Sequence, residues 1–431
     1  MRSGVGLDSR VVALMVKRAL LIAYHYPPVR VSSGIQRTLK FSQYLPEYGW
    51  EPLILTVHPR AYEATSDDQL AEIPKDNPVV RACGFDTARH FAIRGRYFDW
   101  MALPDRWVSW CVGGVLAGLS MVRKYRPVVL WSTYPIATAH LIGLTLHRIT
   151  GLPWVADFRD SMTEEGYPRD ARRRKVFRWI ERHTVEQARL SVFTTPGAVR
   201  MYQERYPRQA SRFLQIPNGF DEENFVDVER DLETERRPVS VMRPLVLVHS
   251  GVLYPSERDP TKFFSALATL KRQGAVSPEN LRIVLRATGH DPLYSGMLTE
   301  YGISDLVALM PAIPYRAALR EMLEADGLLI FQASNCNHQV PAKIYEYFRA
   351  MKPILALTDP AGDTAGVLRQ AGVGTVVPLD DERAIIGELA AFVQRVSAGQ
   401  EHGADRESAA RYARRTQTGT LSRVLDQALS G

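Results

Sequence analysis

The segment QVPAKIYEYFRAMKPIL, residues 339–355, places a lysine and a glutamate one helical turn apart, at Lys343 and Glu346. A carboxylate can accept hydrogen bonds from both hydroxyls of a ribose diol, whereas an ammonium group binds phosphate. The same spacing also suits an ion pair that faces water. Spacing alone therefore leaves two interpretations open, a solvated helix face and the wall of a ligand site.

The position of this pair along the chain favours the ligand site. Pro341 suits the first turn of a helix, and Ile344 and Phe348 recur at helical spacing as an apolar stripe. The helix follows a strand-like apolar run, and ligands of parallel sheets bind where strands lead into helices. We therefore expect Lys343 and Glu346 to line such a site.

Three charged side chains, Asp157, Arg159 and Asp160, follow another strand-like run in the segment ADFRD. Charges crowded at the end of a strand are costly to bury unless they are paired. They form either a structural salt-bridge cluster or part of a polar site, and we favour the site.

Two further loops lead from a predicted strand into a helix. In HSGVLYPSERDPTK, Gly251 ends a strand, and Arg258 and Lys262 stand near the next helix N-terminus. Backbone amides, the helix dipole and cations can hold a diphosphate there without metal. In YHYPPVRVSSGIQR, Ser33 and Gly34 would let backbone N–H groups approach a ligand, although a simple turn explains them equally well.

Apolar runs of strand length alternate with helical patterns through both halves of the chain. This alternation is typical of βαβ units and of parallel sheets. It predicts strands at 19–23, 52–57, 79–83, 128–132, 154–156, 190–194, 213–216, 245–249, 282–286, 307–310, 328–332, 354–358 and 374–378. A last helix, predicted over 406–429, has no strand after it and is free to pack across the domain junction.

The fold class expected from this pattern is α/β, with two tandem Rossmann-like doubly wound domains that face each other across a cleft. A chain of 431 residues exceeds the usual size of one hydrophobic core. The predicted boundaries are a loose N-terminal extension at 1–18, a first domain at 19–225, a linker at 226–244, a second domain at 245–400 and a C-terminal crossing helix at 401–431.

The chain is basic, with 54 Lys and Arg against 47 Asp and Glu, a net charge of +7. Residues 169–189 alone carry eight basic and three acidic side chains. A solvated helix face explains this cluster, and so does contact with an anionic membrane surface or with the phosphate of an acceptor. Nucleic acid is not an expected partner.

The three cysteines are widely spaced and indicate neither a disulfide framework nor a zinc site. No metal ligands are predicted, and a reducing cytoplasmic environment fits. The apolar window at 107–122 is shorter than the roughly 20 residues that span a bilayer. We expect a buried helix there, with a helix lying on a membrane surface as the alternative.

Several motifs together resemble a known family. They are PPVRVSSGIQR, LPD, ADFRD, PNGFD, HSGVLYPSERDP and VPAKIYEY followed by KPIL. In this order the set resembles the GT-B-fold glycosyltransferases of family 4, in particular bacterial enzymes that build exopolysaccharide or O-antigen repeat units. The resemblance runs from about residue 19 to about 395, and VPAKIYEYFRAMKPIL is its most specific piece.

The resemblance implies a nucleotide-sugar donor, expected to be a UDP- or GDP-sugar, bound mainly by the second domain. It implies a glycan acceptor, expected to be linked to a polyprenyl diphosphate, bound mainly by the first. Transfer with retention and without metal is also implied, because cations and helix dipoles neutralise the leaving diphosphate. Glu346 matches the glutamate that binds the donor ribose, Lys343 the lysine beside it, Arg258 a phosphate-binding cation and Gly34 a glycine of the first loop.

The sequence departs from the family pattern at three positions. His338 replaces the first glutamate of the usual pair, Val252 follows Gly251 where many members have arginine, and Ser33 stands in place of a glycine. Arg258, with Lys262, is then left to stabilise the leaving group.

The sequence therefore predicts a cytoplasmic glycosyltransferase, peripheral on the inner face of the cytoplasmic membrane, that acts in bacterial surface polysaccharide synthesis. The predicted residues are Asp157, Arg159, Asp160, Arg258 and His338 for catalysis, and Ser33, Gly34, Gly251, Arg258, Lys262, Lys343 and Glu346 for donor binding. The alternatives are a GT-B sugar-nucleotide epimerase, a phosphorylase and a catalytically inactive GT-B scaffold protein.

Overall fold

A computed structural model of the chain describes residues 17–30, 34–67, 69–235 and 243–430. Its strands form two parallel sheets. The first sheet contains β1 (Lys17–Ile22), β2 (Trp50–Val57), β3 (Val79–Ala82), β4 (Val129–Thr133), β5 (Trp154–Arg159), β6 (Leu190–Phe193) and β7 (Phe213–Gln215). The second contains β8 (Leu245–Ser250), β9 (Leu281–Arg286), β10 (Val307–Met310), β11 (Gly327–Phe331), β12 (Ile354–Leu357) and β13 (Thr375–Val377).

The two sheets share one strand order around a central switch point. The first sheet runs β3-β2-β1-β4-β5-β6-β7 and the second β10-β9-β8-β11-β12-β13. All neighbouring pairs are parallel, with β1 beside β4 and β8 beside β11. In each sheet the strand order reverses between the two strands of this pair. In doubly wound folds the crevice for a ligand opens at that point. The predicted pair of Rossmann-like domains is confirmed.

Helices cover both faces of each sheet. In the first half they are α1 (Gly34–Tyr44), α2 (Thr87–His90), α3 (Trp110–Tyr125), α4 (Ala137–Thr150), α5 (Ala171–Gln187), α6 (Pro196–Arg205) and α7 (Glu222–Thr234). In the second half they are α8 (Thr261–Arg272), α9 (Asp291–Glu300), α10 (Tyr315–Glu324), α11 (Lys343–Ala350), α12 (Asp363–Gln370), α13 (Glu382–Ser397), α14 (Arg406–Ala410) and α15 (Arg414–Leu429).

The central strands are apolar along their whole length because both of their faces are covered by helices. In β4 and β11 every residue is buried. Leu130 contributes to the core on one side of the first sheet, and Val129 and Trp131 contribute to the core on the other. Burial of both faces explains why the strands could be located from runs of apolar residues.

The helix predicted over 406–429 is divided into α14 and α15. Tyr412 and Ala413 leave the helical path because the backbone of Phe220 pairs with them: Phe220 N donates to Tyr412 O, and Arg414 N donates to Phe220 O. Ala409 of α14 packs in the core of the second domain, whereas Leu421 and Leu425 of α15 pack in the core of the first. The C-terminal helices therefore cross the domain junction as predicted, whereas the prediction of one continuous helix was wrong.

The segment predicted as a linker begins with a helix. The helix α7 extends through residue 234, and its Phe225 and Val228 are buried against the second domain. Residues 236–242 and the predicted N-terminal extension up to residue 16 lie outside the described residues.

The apolar window at 107–122 contributes most of α3. One side of this helix is buried, at Trp110, Gly114, Gly118 and Met121. Its other side exposes Val112 and Leu116. Within the described parts of the chain, no helix is both long and apolar enough to cross a membrane.

Candidate functional site

A cleft lies between the two domains at the carboxyl ends of their strands. It encloses about 170 Å³. Residues from the first domain that line it are Arg159, Asp160, Thr194, Thr195 and Asn218, and residues from the second are Glu257, Arg258, Gln332, Cys336, Gln339, Val340, Pro341 and Ala342. The cleft is therefore built by loops that follow strands, as expected for ligands of doubly wound sheets.

Lys343 is the first residue of α11, and its ammonium lies against His249 at the end of β8. The two nitrogens, Nζ of Lys343 and Nε2 of His249, are 3.1 Å apart. The other ring nitrogen of His249 lies 2.9 Å from the carbonyl oxygen of Leu329, which requires the proton to be on Nδ1. A neutral His249 thus accepts a hydrogen bond from Lys343 and orients it.

The surroundings of Lys343 destabilise its charged form. Burial and nearby Arg258 lower the pKa of Lys343 to about 7. Burial, with Lys343 as the second cause, holds the pKa of His249 well below its usual value. An anion that bound beside Lys343 would stabilise its ammonium form.

Gly251 provides the space that this ammonium occupies. Its φ of +121° lies in the region that favours glycine, and a Cβ there would lie 2.9 Å from Nζ of Lys343. Arg258 is half-buried seven residues later, and its Nη1 donates to the carbonyl oxygen of Val252 at 2.9 Å. The structure therefore brings three predicted donor residues, Gly251, Arg258 and Lys343, to one edge of the second sheet.

Glu346 lies one turn further along α11 and is half-buried. Its Oε1 accepts a hydrogen bond from the hydroxyl of Tyr315 at 2.8 Å. Burial raises the pKa of Glu346, while Tyr315, Arg414 and Lys343 oppose that change. The second carboxylate oxygen has no donor among the described residues and can accept from a ligand hydroxyl.

Asp157 belongs to the structure of the first domain. Its carboxylate is fully buried and pairs with both Nε and Nη2 of Arg37, at 2.9 and 2.8 Å. Thr133 donates a third hydrogen bond to it at 2.8 Å. The salt-bridge alternative thus applies to Asp157, which joins α1 to β5 and does not line the cleft.

Arg159 and Asp160, by contrast, line the cleft. Arg159 has a φ of 58°, and the pairing of β5 with β6 shifts register between Asp157 and Arg159. A left-handed conformation at a residue other than glycine is strained, and such strain is typical of functional sites. The bulge turns the guanidinium of Arg159 toward the carbonyl oxygen of Tyr134 and the cleft.

His338 points toward the first domain. Its Nε2 lies 2.9 Å from Oε1 of Glu164, and its carbonyl oxygen accepts from Thr195 at 2.7 Å. Hydrogen bonding with Glu164 raises the pKa of His338. The structure therefore places His338 at a contact between the domains, next to Gln339 of the cleft.

Three other predicted residues lie apart from this arrangement or cannot be located. Lys262 is on the outer side of α8, 51% exposed, with its Nζ 3.4 Å from Glu382. Gly34 is buried as the first residue of α1. Ser33 lies outside the described residues.

Sequence reasoning missed His249, Arg37 and Arg414. Arg414 is 3% exposed, and its Nε has no partner among the described residues. Burial, followed by Arg37 and Arg159, lowers the pKa of Arg414 to about 9. His249 lies at the end of β8, in the segment HSGVLYPSERDPTK, and that position was the available signal. Arg37 lies within α1, and its pairing with Asp157 depends on the tertiary fold. Arg414 is remote in sequence, so no local pattern could have placed it here.

No group of three or more His, Cys, Asp or Glu side chains that could hold a metal ion occurs in the described ranges.

Two facing Rossmann-like domains, with a cleft at the carboxyl ends of their strands, make up the GT-B fold. Residues 34–219 match the family model described as "Glycosyl transferase 4-like domain". The first domain is thus a glycosyl transferase 4-like domain, and the resemblance to GT-B glycosyltransferases of family 4 is confirmed.

Solved structures with the same fold cover nearly the whole chain. Sucrose-phosphate synthase from Thermosynechococcus elongatus is 15% identical, with a TM-score of 0.63 over 96% of this chain and 99% of that one. HepE from Anabaena in complex with UDP and glucose is 13% identical, with a TM-score of 0.60 over 95% and 99%. The lipopolysaccharide outer core galactosyltransferase WaaB is 10% identical, with a TM-score of 0.56 over 95% and 99%. No curated protein matches the sequence.

Proposed function

We propose that the chain transfers a sugar from a nucleotide-diphosphate sugar to a glycan acceptor. The observation that carries this proposal is that Lys343 lies against Gly251 at the switch point of the second sheet, with Arg258 and Glu346 near enough to act on its charge. Two cations and the N-terminus of α11 suit a diphosphate, and the free carboxylate oxygen of Glu346 suits a ribose diol. The UDP complex of HepE, which shares the fold, supports a UDP-sugar as the donor.

The cations would lower the barrier by stabilising the charge that develops on the leaving diphosphate. In the retaining reaction that we propose, the leaving phosphate oxygen takes the proton of the acceptor hydroxyl on the same face of the sugar. Arg258 and Lys343 neutralise the diphosphate, with His249 holding Lys343 in place. Arg159 and Asp160, on the opposite wall of the cleft, would orient the donor sugar or the acceptor. No step of this scheme is assigned to a metal ion.

A role in bacterial surface polysaccharide synthesis, with a polyprenyl-diphosphate-linked acceptor, is part of the proposal. The fold shared with WaaB supports it. Contact with an anionic membrane surface on its cytoplasmic side is supported by the segment 91–100. There Ile93, Phe98 and Trp100 are 79%, 70% and 69% exposed. Arg94 and Arg96 lie between them and are exposed, and this mixture of cations with apolar and aromatic side chains suits a lipid interface.

Nucleotide release from a panel of UDP-, GDP- and ADP-sugars, with and without crude lipid acceptor, tests the proposal. A transferase releases the nucleotide faster when its acceptor is present, and the acceptor gains the sugar. An epimerase changes the sugar without an acceptor, and an inactive scaffold releases nothing. Absence of release and of binding with every donor would refute the proposed activity.

A further inference from the structure

A second cavity, of about 600 Å³, lies on the first domain between α5, α6 and the loop that follows β5. We name it the α5 pocket and define it by Lys175, Arg178 and Arg182 on one wall, Trp179 and Tyr206 beside them, and Glu164 at the end nearest the cleft. We propose that the α5 pocket binds the diphosphate of a phosphate-bearing acceptor. This inference rests on the proposed transferase function and adds the acceptor site to it.

The three cations of the α5 pocket form no ion pair with any described residue. No carboxylate of the described residues lies within 4 Å of the side-chain nitrogens of Lys175, Arg178 or Arg182. They follow one another at spacings of three and four residues and therefore lie on one face of α5. Like charges at these spacings destabilise a helix by a few tenths of a kcal/mol per pair. The arrangement is thus unfavourable for α5 itself and favourable for a bound anion.

The carboxylate on the floor of the α5 pocket has hydrogen-bond partners at both oxygens, in contrast to the cations of the basic wall. Buried Glu181 accepts hydrogen bonds from the hydroxyls of Thr163, Tyr202 and Tyr206, at 2.9, 2.8 and 2.8 Å. It also pairs with Arg205 at 2.7 Å. Glu181 therefore cannot neutralise the cations on the wall, and Glu165 is the lining carboxylate left without a described partner. An excess of positive charge therefore faces the cavity.

The position of the α5 pocket suits an acceptor. Glu164 lines it and contacts His338, while Asp160, four residues before Glu164, lines the cleft. Four residues span at most about 14 Å, so the two cavities are neighbours. Trp179 is 43% exposed and presents an aromatic surface beside the cations. An acceptor whose diphosphate lay in the α5 pocket could extend its glycan past Glu164 and His338 into the cleft.

The α5 pocket favours a compact, doubly charged group over an extended lipid surface. Its cations form one wall of a concave cavity with a polar floor, whereas the exposed apolar side chains that suit a membrane lie elsewhere, in the segment 91–100. Guanidinium pairs bind phosphate oxygens through parallel hydrogen bonds, and two adjacent arginines can share one diphosphate.

The test is calorimetric titration of the full chain with inorganic pyrophosphate in the presence of saturating UDP, which occupies the donor cleft. Three proteins are compared: wild type, Arg178→Gln with Arg182→Gln, and the matched control Arg208→Gln with Arg212→Gln. The control removes the same charge from exposed positions of the same domain outside the α5 pocket. We expect the pocket variant to bind pyrophosphate at least tenfold more weakly and the control to change less than twofold.

A second arm uses the transfer reaction. With a crude lipid-linked acceptor, the pocket variant should raise the apparent KM for the acceptor at least fivefold and leave the KM for the donor unchanged. The pair Arg178→Lys with Arg182→Lys should recover part of the loss. Thermal unfolding of the pocket variant should be unchanged or shifted upward, because a like-charge pair is removed.

The outcomes separate this inference from the proposed function. If wild type binds no UDP and transfers nothing, the proposed function fails. If it binds UDP and transfers sugar, but both variant pairs weaken pyrophosphate equally or not at all, the α5 pocket is not an acceptor site. If the pocket variant loses only its binding to anionic vesicles, the basic face contacts lipid and the inference is overturned.

Discussion

At the scale of single residues, Lys343 carries a charge that its surroundings stabilise poorly. Its ammonium contacts His249, which is neutral, and nearby Arg258 repels it. A diphosphate would remove that penalty on binding. The neighbouring Glu346 likewise has its charge opposed by burial. Ionisable groups whose charged form is destabilised by their surroundings are characteristic of functional sites.

Donor binding should therefore depend on pH. With its pKa lowered to about 7, Lys343 is increasingly neutral above pH 7 and increasingly charged below it. The affinity for a nucleotide-diphosphate sugar, whose own charge is constant in this range, should rise as the pH falls from 8.5 to 6. Calorimetric titration at several pH values measures this, and Lys343→Arg should flatten the profile. An affinity independent of pH in the wild type would contradict the assigned role.

The sign for stability is opposite to that for binding. The unfolded chain binds the proton of Lys343 more tightly than the folded chain does, since the pKa is lowered on folding. This group therefore raises the free energy of unfolding as the pH rises from about 7 toward its ordinary pKa. Lys343→Met should remove that contribution to the pH dependence measured by denaturant unfolding.

Replacement of Glu346 should affect binding and leave folding intact. Glu346→Ala removes a charged hydrogen-bond acceptor for the ribose and should weaken donor binding by about 1–3 kcal/mol. Because burial already opposes the charge of Glu346, its loss should not lower the melting temperature. A collapse of thermal stability with donor affinity unchanged would make the residue structural.

At the scale of elements, the sequence predicted what depends on local patterns. Strands such as β4 and β11 are buried on both faces, and their apolar runs identified them. Pro341 and the apolar stripe located α11, although the helix begins at Lys343 and not at Pro341 itself. The break between α14 and α15 could not be predicted, because it comes from the backbone of Phe220, which is distant in sequence. The division of ADFRD into a structural Asp157 and a cleft-lining Arg159 likewise depends on Arg37, 120 residues away from Asp157.

The attachment of α1 to β5 through Arg37 and Asp157 should be important for stability. Arg37→Met leaves the fully buried Asp157 carboxylate with Thr133 as its remaining side-chain donor among the described residues and should lower the free energy of unfolding by about 3–5 kcal/mol. Denaturant unfolding measures the change. The matched control is Arg230→Met, which breaks an exposed ion pair with Asp227 and should cost less than about 1 kcal/mol. Equal effects of the two variants would contradict the interpretation.

The segment 91–100 should act as a membrane contact. Phe98→Ser with Trp100→Ser removes two stacked, exposed rings and should reduce co-sedimentation of the protein with anionic vesicles severalfold. Leu293→Ser, at an exposed apolar position of the second domain, serves as the control and should have no effect. Unchanged co-sedimentation of the double variant would remove the support for this contact.

At the scale of the whole molecule, several polar contacts join the two domains beside the cleft. Thr195 and Glu164 of the first domain bond to His338 of the second, and Gly197 and Arg200 bond to Asp363. The helix α15 returns across the junction and packs on the first domain. The general position of the cleft could be predicted from the two sheets. These contacts could not, because they join loops whose relative placement is set only by the complete fold.

The most direct test of the central claim is calorimetric titration of the protein with nucleotide-diphosphate sugars. The arrangement of Arg258, Lys343 and Glu346 predicts that wild type binds at least one such donor with one-to-one stoichiometry. It also predicts that Arg258→Gln combined with Lys343→Gln loses measurable binding while its melting temperature is maintained. Failure of wild type to bind any donor, or full binding by a folded double variant, would contradict the account.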